Sequence, residues 1–158
     1  DSQTSAAAVT ALPFETPEGT STARIEYRVT GHGGVVGASG CGLSPAEEFC
    51  LRTHTLSIDG AFVTDFTPWR DDCATLCTLA HQGPADAGFD YCQENPCGAI
   101  SSVQASRANW CPGSITPPFA VESAALTTPG SHDFSWLIND VADGGSWRIS
   151  ATYFAYGP

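Results

Sequence analysis

The densest reactive chemistry in the chain lies between Cys41 and His54, where two cysteines, two adjacent glutamates, an arginine and a histidine fall within 14 residues. Carboxylates and histidine can transfer protons or bind ligands, and cysteines can form disulfides or hold a metal ion. A second segment, residues 107–113, adds an arginine, a tryptophan and another cysteine. These two segments together form the candidate site.

Each candidate side chain also has a purely structural interpretation. A carboxylate near an arginine usually forms an ion pair, and pairing of Glu48 with Arg107 or Arg52 would lower its pKa and make it a poor acid. His54 lies among hydrophobic residues on a predicted strand, which favours a hydrogen-bonded core histidine over a ligand. His32 lies between glycines and could bind a metal ion, but no second ligand is identifiable, so no metal site is predicted.

The four tryptophans offer flat aromatic faces on which a sugar could stack. Core packing is the competing interpretation, and it is favoured for Trp136 and Trp147. Trp110 is kept as a candidate binding residue because it lies in the second segment. The nucleophile-elbow pattern of a Ser/His/Asp hydrolase does not occur in the sequence.

Seven cysteines in 158 residues are many for a chain from a reducing compartment. Their spacings are not the usual CxxC pairs of a zinc site, so disulfides in a secreted protein are the better interpretation. Because seven is odd, one thiol is expected to be free or to pair with another chain. The cysteines are Cys41, Cys50, Cys73, Cys77, Cys92, Cys97 and Cys111.

The charge of the chain excludes several classes of partner. The net charge is −11, and all six basic residues are arginines. A nucleic acid or an anionic membrane surface requires a basic face, so neither is an expected partner. No apolar run has the length of a transmembrane helix, so no membrane insertion is expected. The acidity favours solubility, with calcium binding or a basic partner as alternatives. The chain contains no methionine, so Asp1 is expected to be a processed or fragment N-terminus.

The elements that must position the candidate residues are short strands. Alternation of apolar and polar residues predicts strands at 22–30, 49–58, 61–66, 120–126, 131–138 and 147–155. Asp59-Gly60 predicts a hairpin turn, residues 31–34 a loop and residues 140–146 a further turn. Residues 71–108 have four cysteines but little periodicity, which predicts a disulfide-stapled loop insertion.

This pattern predicts an all-β fold, an antiparallel β-sandwich of the jelly-roll type with little helix. Residues 1–20 are expected to be a flexible lead-in or a first edge strand, with residues 1–10 the flexible part. Residues 21–158 are expected to form the jelly-roll domain.

Three segments in order resemble the C-terminal domain of the peptide-N-glycosidase F family. They are TGHGG at residues 30–34, EEFCLRTHT at 47–55 and RANWCPG at 107–113, and the resemblance extends from about residue 22 to the C-terminus. The family enzyme removes N-linked glycans by hydrolysing the bond between asparagine and sugar. Its fold is a pair of jelly rolls, shared with copper-dependent peptidylglycine monooxygenases, and this chain has the length of one.

The resemblance implies roles for particular residues. By position, Glu48 matches an acidic residue that lines the catalytic cleft, which makes it the candidate catalytic residue. Arg107 matches an arginine that contacts substrate, so Glu48 and Arg107 are expected to lie within a few ångströms of each other. Trp110, His54 and His32 complete the expected binding residues.

The sequence departs from the family pattern in three places. Eight residues separate Cys41 from Cys50 where the family has three, and Phe49 replaces a tryptophan. The principal catalytic aspartate of the family lies in its other, N-terminal jelly roll. The related monooxygenases use a His-His-Met copper site, which a chain without methionine cannot supply, so no cofactor is expected.

The resemblance also implies disulfide pairings. Cys41 would join Cys50, and Cys73 would join Cys111. Two of the three remaining cysteines, Cys77, Cys92 and Cys97, are then expected to pair, with Cys77 as one partner.

The expected function is that of a secreted module, extracellular or periplasmic, that binds glycan or protein or takes part in assembly and is not a complete enzyme. One alternative is a peptide-N-glycanase, or its accessory subunit, that requires a second jelly-roll domain. The other is a structural subunit of an extracellular filament or surface layer. Expected partners are a glycoprotein or glycan, a second jelly-roll domain or copies of the chain itself.

Overall fold

The computed structural model describes residues 2–3, 11–34 and 40–157, and within these ranges the chain forms two four-stranded antiparallel sheets and a small ribbon. The predicted flexible lead-in at residues 1–10 falls outside the described residues except for residues 2–3. The strands are β1 (Ser2–Gln3), β2 (Leu12–Thr16), β3 (Thr22–Gly33), β4 (His54–Ile58), β5 (Ala61–Phe66), β6 (Leu79–Gln82), β7 (Phe89–Cys92), β8 (Phe119–Val121), β9 (Gly130–Ile138) and β10 (Gly145–Tyr156).

The first sheet has the order β1-β10-β3-β8 and is built on the long pair of β3 and β10. Odd-numbered residues of β3, among them Tyr27, face the interior, and even-numbered residues face outward, as the alternation predicted. β3 continues through Gly33, which pairs with Gly145, so the predicted loop at residues 31–34 is wrong. The small residues there let other chain segments approach the strand without ending it.

The second sheet has the order β2-β9-β4-β5. β4 and β5 form the predicted hairpin, and Asp59 and Gly60 both have positive φ, 52° and 76°, as a two-residue hairpin turn of type I′ requires. Every second residue from Arg52 to Ile58 is buried, which places an arginine and a histidine on the core side of this sheet.

Side chains from both sheets meet in one hydrophobic core, so the predicted β-sandwich of the jelly-roll type is confirmed. Trp147 is fully buried and Trp136 is 4% exposed, which confirms the core interpretation of these two rings. The largest apolar side chains that are almost completely buried in this core are Trp147, Tyr27, Phe134, Ile25, Leu56, Ile58, Leu126 and Ile138.

The predicted insertion at residues 71–108 has two single-turn helices, α1 (Cys73–Leu76) and α2 (Ile100–Gln104), and the β6–β7 ribbon. Disulfides order it. Cys73–Cys111 ties the start of α1 to the segment after α2, and Cys77–Cys92 closes the ribbon. Cys41–Cys50 is the third bridge, and the exposed Cys97 is the free thiol. All expected pairings are confirmed.

Two predicted strands are shorter than expected. The one at 49–58 begins only at His54, because a 3₁₀ turn at Glu47–Phe49 and the bridge at Cys50 precede it. The one at 120–126 ends at Val121, because the Ser123 hydroxyl accepts from the Ala125 backbone N–H and starts a second 3₁₀ turn, Ala124–Thr127. None of the helices among the described residues is long and apolar enough to span a membrane.

Candidate functional site

The two adjacent glutamates lie on the 3₁₀ turn Glu47–Phe49 but have opposite environments. Successive side chains in a 3₁₀ turn differ in direction by about 120°, so neighbours cannot share a face. The Glu47 side chain is fully buried, whereas that of Glu48 is 26% exposed. The turn therefore divides the chemistry of this segment between the core and the surface.

Glu47 belongs to a buried group, the core cluster, defined as Glu47, Arg52, His54 and Trp147. The Nε of Arg52 donates to both carboxylate oxygens of Glu47, and its Nη2 donates to Oε1 at 2.7 Å. Trp147 Nε1 donates to the Glu47 carboxylate at 2.7 Å, and the backbone N–H of Ala142 donates to it at 2.8 Å. A buried carboxylate with this many donors is fully compensated, so this glutamate is a structural element of the core.

His54 lies in the core cluster and not at a ligand site. Its ring centroid is 4.5 Å from that of Trp147, and Nδ1 lies 3.1 Å from the Tyr27 hydroxyl. Burial lowers the pKa of His54 to about 3, so the imidazole is neutral at physiological pH. The residue is fully buried, and no bound ligand could touch it in this conformation, which corrects its assignment as a binding residue.

Glu48 belongs to a second group at the end of the sandwich, the rim cluster, defined as Glu48, Arg107, Trp110 and His32. Arg107 Nη1 lies 3.5 Å from Glu48 Oε2, so the predicted proximity of these two residues is confirmed. Arg52, the alternative partner, is bound to Glu47 instead. The exposed part of Glu48 remains accessible to a ligand.

Arg107 is held on all sides. Its guanidinium lies between the rings of Phe49 and Trp110, 4.9 and 4.6 Å from their centroids, and donates to the backbone carbonyls of Ser102 and Ala105. Burial lowers the pKa of Arg107, and the charge of Glu48 opposes that shift. Because its side chain is only 3% exposed, Arg107 offers almost no surface to a ligand. Its role in the rim cluster is to orient Glu48.

His32 and Trp110 form the aromatic part of the rim cluster. Their ring centroids are 5.3 Å apart, and Trp110 Nε1 donates to the Gly31 carbonyl at 3.2 Å. Burial lowers the pKa of His32; Glu48 raises it, and Arg148 and Arg107 lower it. The ring is therefore neutral at pH 7, and its Nε2 lies 2.7 Å from the Thr30 hydroxyl.

Backbone contacts bring the two sequence segments together. The Ala108 N–H donates to the Glu48 carbonyl at 2.8 Å, and the side chain of Asn109, which has a φ of 61°, donates to the Val29 carbonyl at 3.2 Å. A Cβ at Gly31 would lie 2.6 Å from the Glu47 carbonyl oxygen. Glycine is required there because the 3₁₀ turn packs directly on the strand.

The structure thus brings together four of the five predicted site residues, Glu48, Arg107, Trp110 and His32, and separates His54 from them. Sequence reasoning missed the role of Glu47. A signal for it exists, since Arg52 continues the inward-facing alternation of β4 and a buried arginine needs an internal carboxylate.

The rim cluster offers an oriented carboxylate, an aromatic ring and a neutral imidazole, which suit hydrogen bonding to a polar ligand with an apolar face. Among the described residues, the three potential metal ligands within 4.8 Å of one another are Asp72, Cys73 and Cys111. Both of these sulfurs belong to one disulfide, so they offer no thiolate to a metal ion.

The family model described as "Peptide-N-glycosidase F, C terminal" matches residues 2–153. The structure of PNGF-II in space group P21 has a TM-score of 0.65 and 25% identity, and the match covers 94% of this chain and 25% of that chain. The structure of recombinant PNGase F has a TM-score of 0.64 and 18% identity, with coverages of 92% and 42%.

A further similar structure is that of PNGase F, a glycosylasparaginase from Flavobacterium meningosepticum, with a TM-score of 0.63, 19% identity and coverages of 92% and 42%. No curated protein matches the chain. The chain spans between a quarter and about two fifths of the length of these solved relatives.

Proposed function

The chain belongs to the family of peptide-N-glycosidase F C-terminal domains, and from this premise we propose that it binds protein-linked glycans at the rim cluster without being a complete enzyme. The observation that carries the proposal is the convergence of Glu48, Arg107 and Trp110. The fold brings two segments that are distant in sequence together, so that the Glu48 carboxylate and the Trp110 ring both lie against Arg107 at a partly exposed position.

The chemistry of the cluster suits a saccharide. An exposed carboxylate oxygen accepts hydrogen bonds from sugar hydroxyl or acetamide N–H groups, and a fixed acceptor loses less entropy on binding. The tryptophan ring can pack against the apolar face of a pyranose. Arg107 acts as a positioning residue in this proposal, since it holds Glu48 by the 3.5 Å contact and supports Trp110 from one side.

This chain alone is not expected to hydrolyse the bond between asparagine and glycan. Cleavage of the asparagine–glycan amide requires positioned groups both to activate water and to stabilise the leaving group. The rim cluster contributes one accessible carboxylate. A second candidate function is that of one domain of an amidase, and the observation that favours it is the length of the solved relatives, of which this chain matches 25% to 42%.

The disulfides favour an oxidising compartment for this domain. Three disulfides order the insertion and the 3₁₀ turn, and such bridges persist in oxidising environments. We therefore place the domain outside the cell or in a periplasm. A structural role in a filament or surface layer stays a prediction; the exposed free thiol of Cys97 is the group that would link chains in that case.

A titration with N,N′-diacetylchitobiose tests the binding proposal. Calorimetry measures the affinity, and the indole N–H resonances in NMR spectra report on the tryptophans. We expect binding that shifts the Trp110 resonance, and a loss of affinity of about tenfold in Glu48→Gln, since one charge-assisted hydrogen bond is removed. Phe62→Ala is the control, because this ring is 65% exposed on the other sheet. Equal affinities for all three proteins would remove the rim cluster as the binding site.

Incubation with a denatured N-glycoprotein tests the enzymatic alternative. We expect no release of glycan by the chain alone. Release that disappears in Glu48→Gln would replace the binding proposal by an enzymatic one, with Glu48 as a catalytic residue.

A further inference from the structure

A second polar feature lies beside the rim cluster, on the outer face of the first sheet. It is a groove of about 580 Å³ over the β3–β10 pair. In the register of this pair, Arg28 lies opposite Ser150 and Thr30 opposite Arg148. These four residues, together with Thr116 from the segment after the Cys73–Cys111 bridge, form its walls.

The groove is cationic within an acidic chain. Arg28 and Arg148 line it, and none of the described residues that line it is a carboxylate, although the chain has a net charge of −11. Arg28 donates to Glu26, which Arg24 also contacts. Arg148 is exposed, and within the described part of the chain its guanidinium makes no hydrogen bond or ion pair.

The other arginines show why this is unusual. Arg52, Arg70 and Arg107 each have a carboxylate partner, in Glu47, Asp72 and Glu48 respectively. Arg148 is therefore the arginine whose charge the described residues leave uncompensated. It lies diagonally across the ladder from Arg28, where Cβ atoms are separated by about 7–8 Å, so both guanidinium groups can reach one anionic group.

Hydroxyl groups fill the rest of the walls. Thr30, Thr116 and Ser150 each provide one donor and an acceptor. An arginine fork matches a carboxylate, and neighbouring hydroxyls match the hydroxyls of a sugar ring. A lipid or an apolar peptide would find little to contact, because the side chains of Val29 and Ile149 at the floor point into the core.

The groove is continuous with the rim cluster. Arg28, Thr30 and His32 are alternate residues on one face of β3. The Thr30 hydroxyl lies 2.7 Å from His32 Nε2, and the His32 ring lies 5.3 Å from that of Trp110. A ligand of more than one sugar could therefore occupy both.

We propose that this groove is a subsite for an acidic saccharide, with the carboxylate of a sialic or uronic acid residue bound by Arg148 and Arg28 and its hydroxyls bound by Thr30, Thr116 and Ser150. The inference rests on the proposed function for the class of ligand. The rim cluster binds the neutral part of the glycan, and the groove selects glycans that carry a carboxylated sugar.

Calorimetric titrations with 3′-sialyllactose and trigalacturonic acid, each beside neutral lactose, test this inference. At least one acidic probe is expected to bind about tenfold or more tightly than lactose, as one arginine–carboxylate pair allows. Arg148→Gln should abolish that advantage and leave the affinity for lactose unchanged. Arg24→Gln is the matched control, since it removes the same charge from the same sheet face outside the groove.

Several outcomes would overturn the inference. One is equal affinity of the wild-type protein for acidic and neutral probes. Another is an equal loss in Arg24→Gln and Arg148→Gln, which would show a general effect of charge. A third is tight binding of hexaglutamate that depends on Arg148, which would assign the groove to an acidic peptide.

The chitobiose titration separates the two proposals. If Arg148→Gln leaves chitobiose binding intact and the acidic probes have no advantage, the inference fails and the proposed function stands. If chitobiose does not bind while an acidic probe binds through Arg148, the rim cluster fails and the groove stands.

Discussion

The core cluster and the rim cluster are made of the same four residue types, one glutamate, one arginine, one histidine and one tryptophan, and they begin at neighbouring positions of one 3₁₀ turn. In the core cluster, Glu47 and Arg52 are 0% and 2% exposed. In the rim cluster, Arg107 is 3% exposed but Glu48 is 26% exposed. The comparison shows that residue type does not decide whether a side chain is buried or accessible here.

The two clusters differ in how many hydrogen-bond donors their glutamate carboxylate has. Glu47 receives hydrogen bonds from a guanidinium, an indole and a backbone N–H, so it has no capacity left for a ligand. Glu48 has one arginine contact, at 3.5 Å. A side chain of the first kind stabilises the fold, whereas one of the second kind has free acceptor capacity that a ligand can use.

Glu47→Gln should have the largest effect on stability. It leaves the Arg52 charge uncompensated in the core, which typically costs about 3–5 kcal/mol. The free energy of unfolding in urea measures the loss. If the single variant does not fold, the double variant Glu47→Gln/Arg52→Met should recover stability, because the unpaired charge is then removed; a double variant less stable than the single one would contradict the account.

Arg107→Ala should come next, with a loss of about 2–3 kcal/mol, since two backbone carbonyls lose their donor and two aromatic rings lose a cation. Such a loss would show that Arg107 anchors the rim cluster to the fold, although less strongly than Glu47 anchors the core cluster. Chitobiose affinity should fall as well, through the freed Glu48. Arg24→Ala, at an exposed ion pair, serves as the reference.

His54 should affect the pH dependence of stability. Because the pKa of His54 is about 3 in the folded state, the unfolded chain takes up a proton below its ordinary pKa of about 6.5 and the folded chain does not. His54 therefore contributes stability that is fully present above pH 6.5 and lost as the pH falls, by about 1.4 kcal/mol per unit.

The difference in slope between the wild type and His54→Gln, measured between pH 6 and pH 4, isolates this contribution. His81 and His132 act in the opposite sense, because their carboxylate partners raise their pKa values, but they are common to both proteins. Parallel profiles would show that His54 is charged in the fold.

Glu48→Gln should change stability least, by less than about 1 kcal/mol, because the pair is partly exposed and its geometry is long. Thermal unfolding should therefore resemble that of the wild type while glycan affinity falls. A loss of stability as large as that of Glu47→Gln would erase the distinction between the clusters and leave both as structural.

The sequence by itself determined the long core strands and the presence of disulfides, because their signals are local or chemical, whereas the cysteine pairings followed from the resemblance to a family. Alternation specifies which face of a strand is buried, Asp59-Gly60 permits two positive φ values, and cysteines without zinc spacing form bridges in this chain. The joining of the segments around Glu48 and Arg107 was also predictable, through the resemblance to a family.

Only the tertiary structure decided which of two adjacent glutamates is buried. In the 3₁₀ turn Glu47–Phe49, neighbouring side chains differ in direction by about 120°, and contacts from Trp147 and Ala142, about 95 to 100 positions away, select Glu47. Likewise, Gly31 continues a strand and is not a loop residue because it pairs with Trp147 in the β3–β10 ladder, while Glu47 and Ala108 pack against it. Such long-range contacts leave no periodic or local signal in the chain, and they determined which glutamate is structural and which is available to a ligand.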